Sequence, residues 1–482
     1  MLIVSEGKLN KVKQIYVIVL LISLLLRSIN VYSLIPSIYD GALFAFLATM
    51  GAIFLLNDFF TSLKARKFTY DKFLVFFIIV LVISIVVNRQ FGVVSNLKLM
   101  VWNSIYFFLV YESGKTFYKE DSFFIKINFS LIIAWFVVSF LSLIMFLLKF
   151  GYEKYTSPQE RIRIGFLESR LFGLFGDPNY GAIVCIVVSI LSIFYLINGW
   201  NKKGVLLKLF LIINIAIQFS VLLLSGSRSA LLISFVIVGI STFIYSFIFS
   251  SKRSSRNFVV RMIISLIVTL AVTGFYFLLQ KETKDILQTI PEHVKYELKF
   301  ENTKNKVELG TEKDNKKNNE VSLVRKDVAQ NKDISNMRFS IWKSAIEIFK
   351  TTPWVGTSPR NLIPYAQKYL PNTFIAQRLF VAHNTFINVL VSTGIFGFLL
   401  FVFFLIWNAI SIIIFYFKNR NKLSSSYYIY LAAVTTLVLS GFFVNELILV
   451  NTVGALVFWL YLGKLNGHKE GKILDEKSKN ES

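Results

Sequence analysis

Cysteine is almost missing from this 482-residue chain: Cys185 stands alone. With no intramolecular partner it excludes a disulfide scaffold, and a cysteine-ligated metal cluster fails for the same reason. Only three histidines occur, well separated, which argues against a histidine-rich metal site. Charge is also thin. Asp, Glu, Lys and Arg make up 17% of the residues, where soluble domains have about 25%. Apolar residues reach 55%, with 49 Phe, which is too much for a disordered chain and more than a soluble domain carries. Composition therefore places the chain in the membrane class. Its few charges are of one sign in the main, 52 basic against 28 acidic, for a formal net charge of +24.

A membrane span needs roughly 20 mostly apolar residues. About twelve such stretches occur, near 15–35, 41–57, 73–88, 94–111, 127–149, 178–197, 206–224, 229–249, 258–280, 385–417, 427–446 and 448–463. The last two leave almost no loop between them, and Asn445, Glu446 and Asn451 fall there. The apolar stretch after Lys13 is long, contains Arg27 and lacks a small-residue cleavage site, so it reads as an uncleaved first span.

Lysine and arginine then orient the bundle. With a cytoplasmic N-terminus, the inner segments hold about 24 Lys and Arg against roughly 6 in the short outer loops. Most of the positive charge is thus an orientation signal and a contact with anionic lipid, and nothing in it calls for a nucleic-acid partner. The expected organisation is a transmembrane bundle over 1–280, a large extracytoplasmic loop over 281–384, further spans over 385–463 and a cytoplasmic tail over 464–482. Within the loop, 300–333 is polar and expected to be flexible, whereas 334–384 is richer in Trp, Phe, Ile and Pro. Met337, Ile341, Trp342, Ala345 and Phe349 recur at helical spacing, with Ser335 placed to cap an amphipathic helix lying on the membrane surface or over a cavity.

Four polar blocks fall at the outer face of this topology. They are Arg170 to Gly181, which contains Asp177-Pro-Asn179; Ser225-Gly-Ser227-Arg228-Ser-Ala; Met337-Arg338-Phe-Ser-Ile-Trp with Pro353-Trp-Val-Gly356 and Arg360; and Ala382-His383-Asn384-Thr385. Each has a plainer reading. Asp177 before a proline is a helix cap. Ser225-Gly-Ser227 makes a turn, Arg228 a snorkelling anchor, Arg338 a solvated charge, and His383 an ordinary polar residue at a helix start. Together they point to a diphosphate site. Arginine forks match phosphate oxygens and stay charged, and helix N-termini at Asp177, Ser229 and Asn384 offer further N–H donors. His383, with a reference pKa near 6.5, suits a base at neutral pH.

The order of these blocks resembles the O-antigen ligase and polymerase superfamily, most strongly from Arg170 to Gly397. The resemblance rests on Gly-Asp-Pro-Asn, Ser-Gly-Ser-Arg-Ser-Ala, Arg-x-x-x-Trp with Pro-x-x-Gly, and Ala-His-Asn with Gly394-Ile-Phe-Gly397. It implies an all-α polytopic membrane protein of about 12 transmembrane helices, type-C glycosyltransferase-like, in a bacterial cytoplasmic membrane. The implied enzyme is metal-independent, needs no cofactor and takes an undecaprenyl-diphosphate-linked oligosaccharide as donor. Arg228 and Arg338 would hold the diphosphate, and His383 would position or deprotonate the acceptor hydroxyl. Arg170 and Asp177 would shape the cavity, Arg360 and Arg378 rank lower, and Asn179, Ser227, Asn384 and Glu446 would support. Expected partners are membrane lipid, a flippase and chain-length regulators. Polymerisation of repeat units into a surface polysaccharide is favoured over ligation to a different acceptor. A lipid-oligosaccharide flippase fits less well, because the polar residues gather at one face, and a peptidoglycan-type polymerase matches the Ala-His-Asn block poorly.

Overall fold

The structure is a computed structural model that describes residues 6–66, 68–155, 161–253, 257–292, 323, 335, 337–419, 423 and 425–480. Apart from Leu323, the 300–333 stretch lies outside these residues. The chain divides into two compact units: Met1–Ser28 with Tyr32–Leu131 and Asp333–Ser482, and Ile29–Val31 with Ile132–Lys332.

Helices dominate the first unit. They are α1 (Glu6–Arg27), α2 (Ser37–Lys64), α3 (Lys72–Val87), α4 (Val94–Ile105) and α5 (Tyr111–Thr116), with the first part of α6 (Asp121–Leu147). The second unit continues α6 into α7 (Pro178–Ile197), α8 (Val205–Leu224), α9 (Arg228–Arg253) and α10 (Phe258–Thr289). The chain then returns to the first unit for α11 (Arg338–Thr351), α12 (Leu362–Tyr369), α13 (Phe374–Arg378), α14 (Thr385–Asn419), α15 (Ser425–Ser440) and α16 (Val453–Asn480).

Eight described helices are long and apolar enough to cross a membrane, which makes the chain a polytopic membrane protein. The expected twelve stretches resolve less evenly. Lys72–Val87 and Ser426–Ser440 are apolar but short. The 94–111 stretch is a helix interrupted by a π-helical turn at Tyr106–Val110, and it buries Asn96 and Asn103. The 448–463 stretch starts only at Val453, and its helix continues through the expected tail to Asn480. At the other end α1 stops at Arg27, short of the expected 35, where the arginine pairs with Asp40 at 3.1 Å.

An all-α fold was expected, and this needs a correction. The second unit contains a three-stranded antiparallel sheet, β1 (Gly151–Tyr155), β2 (Arg161–Leu167) and β3 (Arg170–Gly173). Glu168 and Ser169, both at positive φ, make the two-residue turn that joins β2 to β3. Further along this unit a buried polar chain links three helices: Ser139 donates to Gln218, Gln218 to Asn214 and Asn214 to Ser192, all at 2.8–2.9 Å. Side-chain amides placed this way satisfy each other where no water would.

In the first unit the amphipathic segment builds its own core. Ile341, Ala345 and Ile348 of α11 pack with Leu362, Tyr365 and Ala366 of α12, Ile375 of α13 and Val391 of α14. Ser335 Oγ accepts from Phe339 N at the start of α11. This segment is locked to α14 through a break in that helix. Gly394 has φ 66 and ψ −170, which no other residue type adopts without strain. The break frees the Val391 and Ser392 carbonyls, and Thr357 N and Ser358 N take them at 2.8 and 2.9 Å; Ile395 N in turn donates to Pro353 O. The two backbones touch: a Cβ on Gly394 would sit 2.3 Å from the Trp354 carbonyl, and one on Gly356 would sit 2.4 Å from Ser392 C. Broken helices of this kind persist at membrane depth only when protein satisfies the freed groups. Gly394→Ala is therefore expected to abolish the monodisperse detergent-extracted protein on size exclusion, whereas Gly274→Ala, with open space around it, should elute as the parent does.

The same loop docks on α3 and the turn that follows it. Ser84 Oγ donates to Ser392 O, Ser358 Oγ to Ser84 O and Asn88 Nδ2 to Gly356 O, at 2.8–3.0 Å. Asn96 bridges Arg360 N and Asn361 Oδ1, each at 2.9 Å.

Candidate active site

Two of the four motif blocks lie in the second unit. Asp177 is the N-cap of α7: its carboxylate accepts from Asn179 N at 2.7 Å, and Pro178 occupies the first turn. Arg170, expected to help shape the cavity, is buried at the start of β3. Its Nε donates to Ser225 O at 2.9 Å and its Nη2 to Asn179 Oδ1 at 3.0 Å, so one guanidinium ties the sheet, the α8–α9 turn and the head of α7 together. Both bonds use the fork, and replacing Arg170 with Ala or Lys is expected to cost about 2–4 kcal/mol by stranding the two acceptors. A lowered thermal midpoint checks this.

The α8–α9 turn places its serines inward and its arginine outward. Ser225, Ser227 and Ser229 are buried, and Ser227 Oγ accepts from Ala230 N at 3.4 Å, capping α9. Arg228, the first residue of that helix, is exposed. Its charge therefore sits at the positive end of the helix dipole, an arrangement suited to an anion. Arg163, which sequence reading passed over, lies on β2 with its guanidinium 4.0 Å from the Phe172 ring and 3.2 Å from Glu168. Desolvation, followed by the Arg161 charge, lowers its pKa. The alternating Arg161-Ile-Arg163-Ile was the available signal for this strand.

The other two blocks lie in the first unit, and their segments are joined by named bonds. Trp342 Nε1 donates to Ala382 O at 3.2 Å, which ties α11, headed by Arg338, to the residue before His383. His383 has φ 46, and its ring centre lies 6.2 Å from Phe380. Asn384 caps α14, accepting from Phe386 N and Ile387 N at 2.9 and 3.0 Å, and donates to Phe442 O. Thr385 extends the seam: its N donates to Gly441 O, and its Oγ1 donates to Val444 O and accepts from Glu446 N. Arg338 closes the loop of contacts, with Cζ 5.6 Å from the Phe443 ring centre. Arg338, His383, Asn384 and Glu446 thus belong to one stitched neighbourhood.

Glu446 is buried, at 1% exposure, and lies in a non-helical stretch between α15 and α16 rather than near the end of a span. Arg360 sits apart on the loop docked against Asn96. Desolvation, with a smaller contribution from the Arg27 charge, lowers its pKa without discharging it at neutral pH. Arg378 ends α13.

No curated protein matches the chain. Residues 213–402, less than half of the sequence, match the family model described as O-antigen ligase. The match runs from α8 into α14 and includes Ser227, Arg228, Arg338, Arg360, His383 and Asn384. Arg170, Asp177, Asn179 and Glu446 lie outside it. Members of that family are enzymes that transfer glycans. Over that stretch the chain is similar to the O-antigen ligase family, the direction in which the ordered motifs pointed.

Proposed function

We propose that the chain polymerises undecaprenyl-diphosphate-linked oligosaccharide repeat units into a surface polysaccharide of capsule, teichuronic or O-antigen type at the outer face of the bacterial cytoplasmic membrane. Both termini are then cytoplasmic, and 281–384 is extracytoplasmic. The observation that carries the reading is the neighbourhood in which an arginine, a histidine and a buried glutamate share one seam at the head of α14. In the proposed step the acceptor hydroxyl oxygen attacks the anomeric carbon. The bond to the diphosphate oxygen breaks, and the hydroxyl proton passes to His383. Arg338 stabilises the charge that grows on the departing undecaprenyl diphosphate, as a preorganised cation does. No step uses a metal ion.

Ligation to a different acceptor is the second reading, favoured by the description of the matching family. Purified protein in liposomes with a synthetic undecaprenyl diphosphate oligosaccharide, no other acceptor and EDTA separates the two. A ladder of multimers on a gel is expected. Intact donor that turns over only when a foreign glycan acceptor is added would replace polymerisation with ligation. Labelled donor that crosses the bilayer unchanged would make the protein a flippase and remove the enzymatic reading.

A further inference from the structure

The neighbourhood of Glu446 is clamped from a part of the chain that none of the motifs reaches. Residues 441–452 are non-helical, and Glu446 sits in their middle. On the N-terminal side Asn384 and Thr385 hold Phe442, Val444 and the Glu446 N–H. On the C-terminal side the partners come from α4 and the π-turn. Asn103 Oδ1 accepts from Leu449 N at 2.9 Å, fixing a residue at φ 59, and Tyr106 Oη donates to Asn451 Oδ1. Trp459 Nε1 donates to Leu447 O at 2.8 Å. Asn103 and Tyr106 are both buried, and Tyr106 opens the π-turn at Tyr106–Val110, an irregularity that recurs at functional sites. The Glu446 carboxylate rests on Gly454 in the first turn of α16, where a Cβ would lie 2.4 Å from Oε2.

We propose that Asn103 and Tyr106 are positioning residues that fix the Glu446 carboxylate beside the His383 and Arg338 segments, with Gly454 as the floor that admits it. The proposal rests on the reading of that neighbourhood as a glycosyl-transfer site. Its chemistry is static: the two side chains touch no substrate, and each acts through the backbone on which Glu446 stands.

A double-mutant cycle with Glu446→Ala tests it. Tyr106→Phe keeps the ring and removes only the hydroxyl, and Gly454→Ala intrudes on the carboxylate while leaving the clamp intact. Each is expected to lower kcat on the order of 10–100-fold, with donor KM changed less than about twofold, as for a misplaced group outside the substrate contacts. In the Glu446→Ala background neither should cost anything more, since the group they position is gone. Equal losses in both backgrounds would make the clamp merely structural, and full turnover by Glu446→Ala would leave it nothing to position; either overturns the proposal. A second readout needs no turnover. The carboxyl band that Glu446→Ala removes from the infrared difference spectrum should shift in Tyr106→Phe, and an unmoved band overturns positioning even if the wild-type protein makes no polymer. Absence of any glycan transfer by wild type together with a shifted band would fault the proposed function and leave the clamp standing.

Discussion

His383→Ala is expected to slow glycan transfer by about 10²–10⁴-fold, the usual contribution of a well-placed general base, while the protein extracts folded, with a modest drop in melting temperature from alanine at a left-handed position. The structure separates the two effects. Asn384 caps α14 and anchors Phe442 through its own side chain, and Trp342 is held by the Ala382 carbonyl, so neither depends on the imidazole. The backbone at 383 is left-handed, with φ 46, where a histidine or asparagine is better tolerated than most residues. His383→Asn is therefore the informative companion: it suits the backbone, lacks a base of comparable pKa, and should be as slow as the alanine protein. Initial rates of product formation on gels, with thermal midpoints alongside, decide the matter. A full rate from either variant removes the base assignment.

Arg338→Ala is expected to cost about 10²–10³-fold in kcat, the range seen when one preorganised stabiliser of developing charge is removed. Arg338 heads α11, and its guanidinium lies over Phe443, three residues from Glu446. Arg338→Lys should recover little if two phosphate oxygens are gripped at once, because an ammonium offers a point charge in place of a fork. Measured kcat and KM with donor varied would show the loss mainly in kcat. A lysine protein that works at the parental rate would reduce Arg338 to a general electrostatic contributor.

How far the sequence announces all this depends on whether the signal is local. Asp177-Pro178 declares a helix start by itself, and the cap is there. The spacing from Met337 to Phe349 likewise declares α11. The carbonyl that Arg170 clasps is not legible locally, because its acceptor, Ser225, lies 55 residues away. The stretch around Glu446 looked like the junction of two spans because its residues are apolar enough. What unwinds it is Asn103, Tyr106 and Thr385, contributed from remote positions. Pro353-x-x-Gly356 and Gly394-x-x-Gly397 were each visible as motifs, but nothing local says that one is built to receive the other.

That interlock has a consequence for how the protein is made. Ser84 lies in α3, Asn88 just beyond it and Asn96 in α4, and their partners lie between Gly356 and Ser392, separated from them by 264–308 residues. A chain emerging from the ribosome presents these polar groups to the bilayer long before anything exists to satisfy them. They must wait on water, lipid headgroups or an insertion chaperone until the helix broken at Gly394 has been synthesised. Early spans would be integrated but loosely held, and the bundle would close only from its C-terminal end. Truncations placed before residue 353 should leave a protein that is inserted yet marked for degradation.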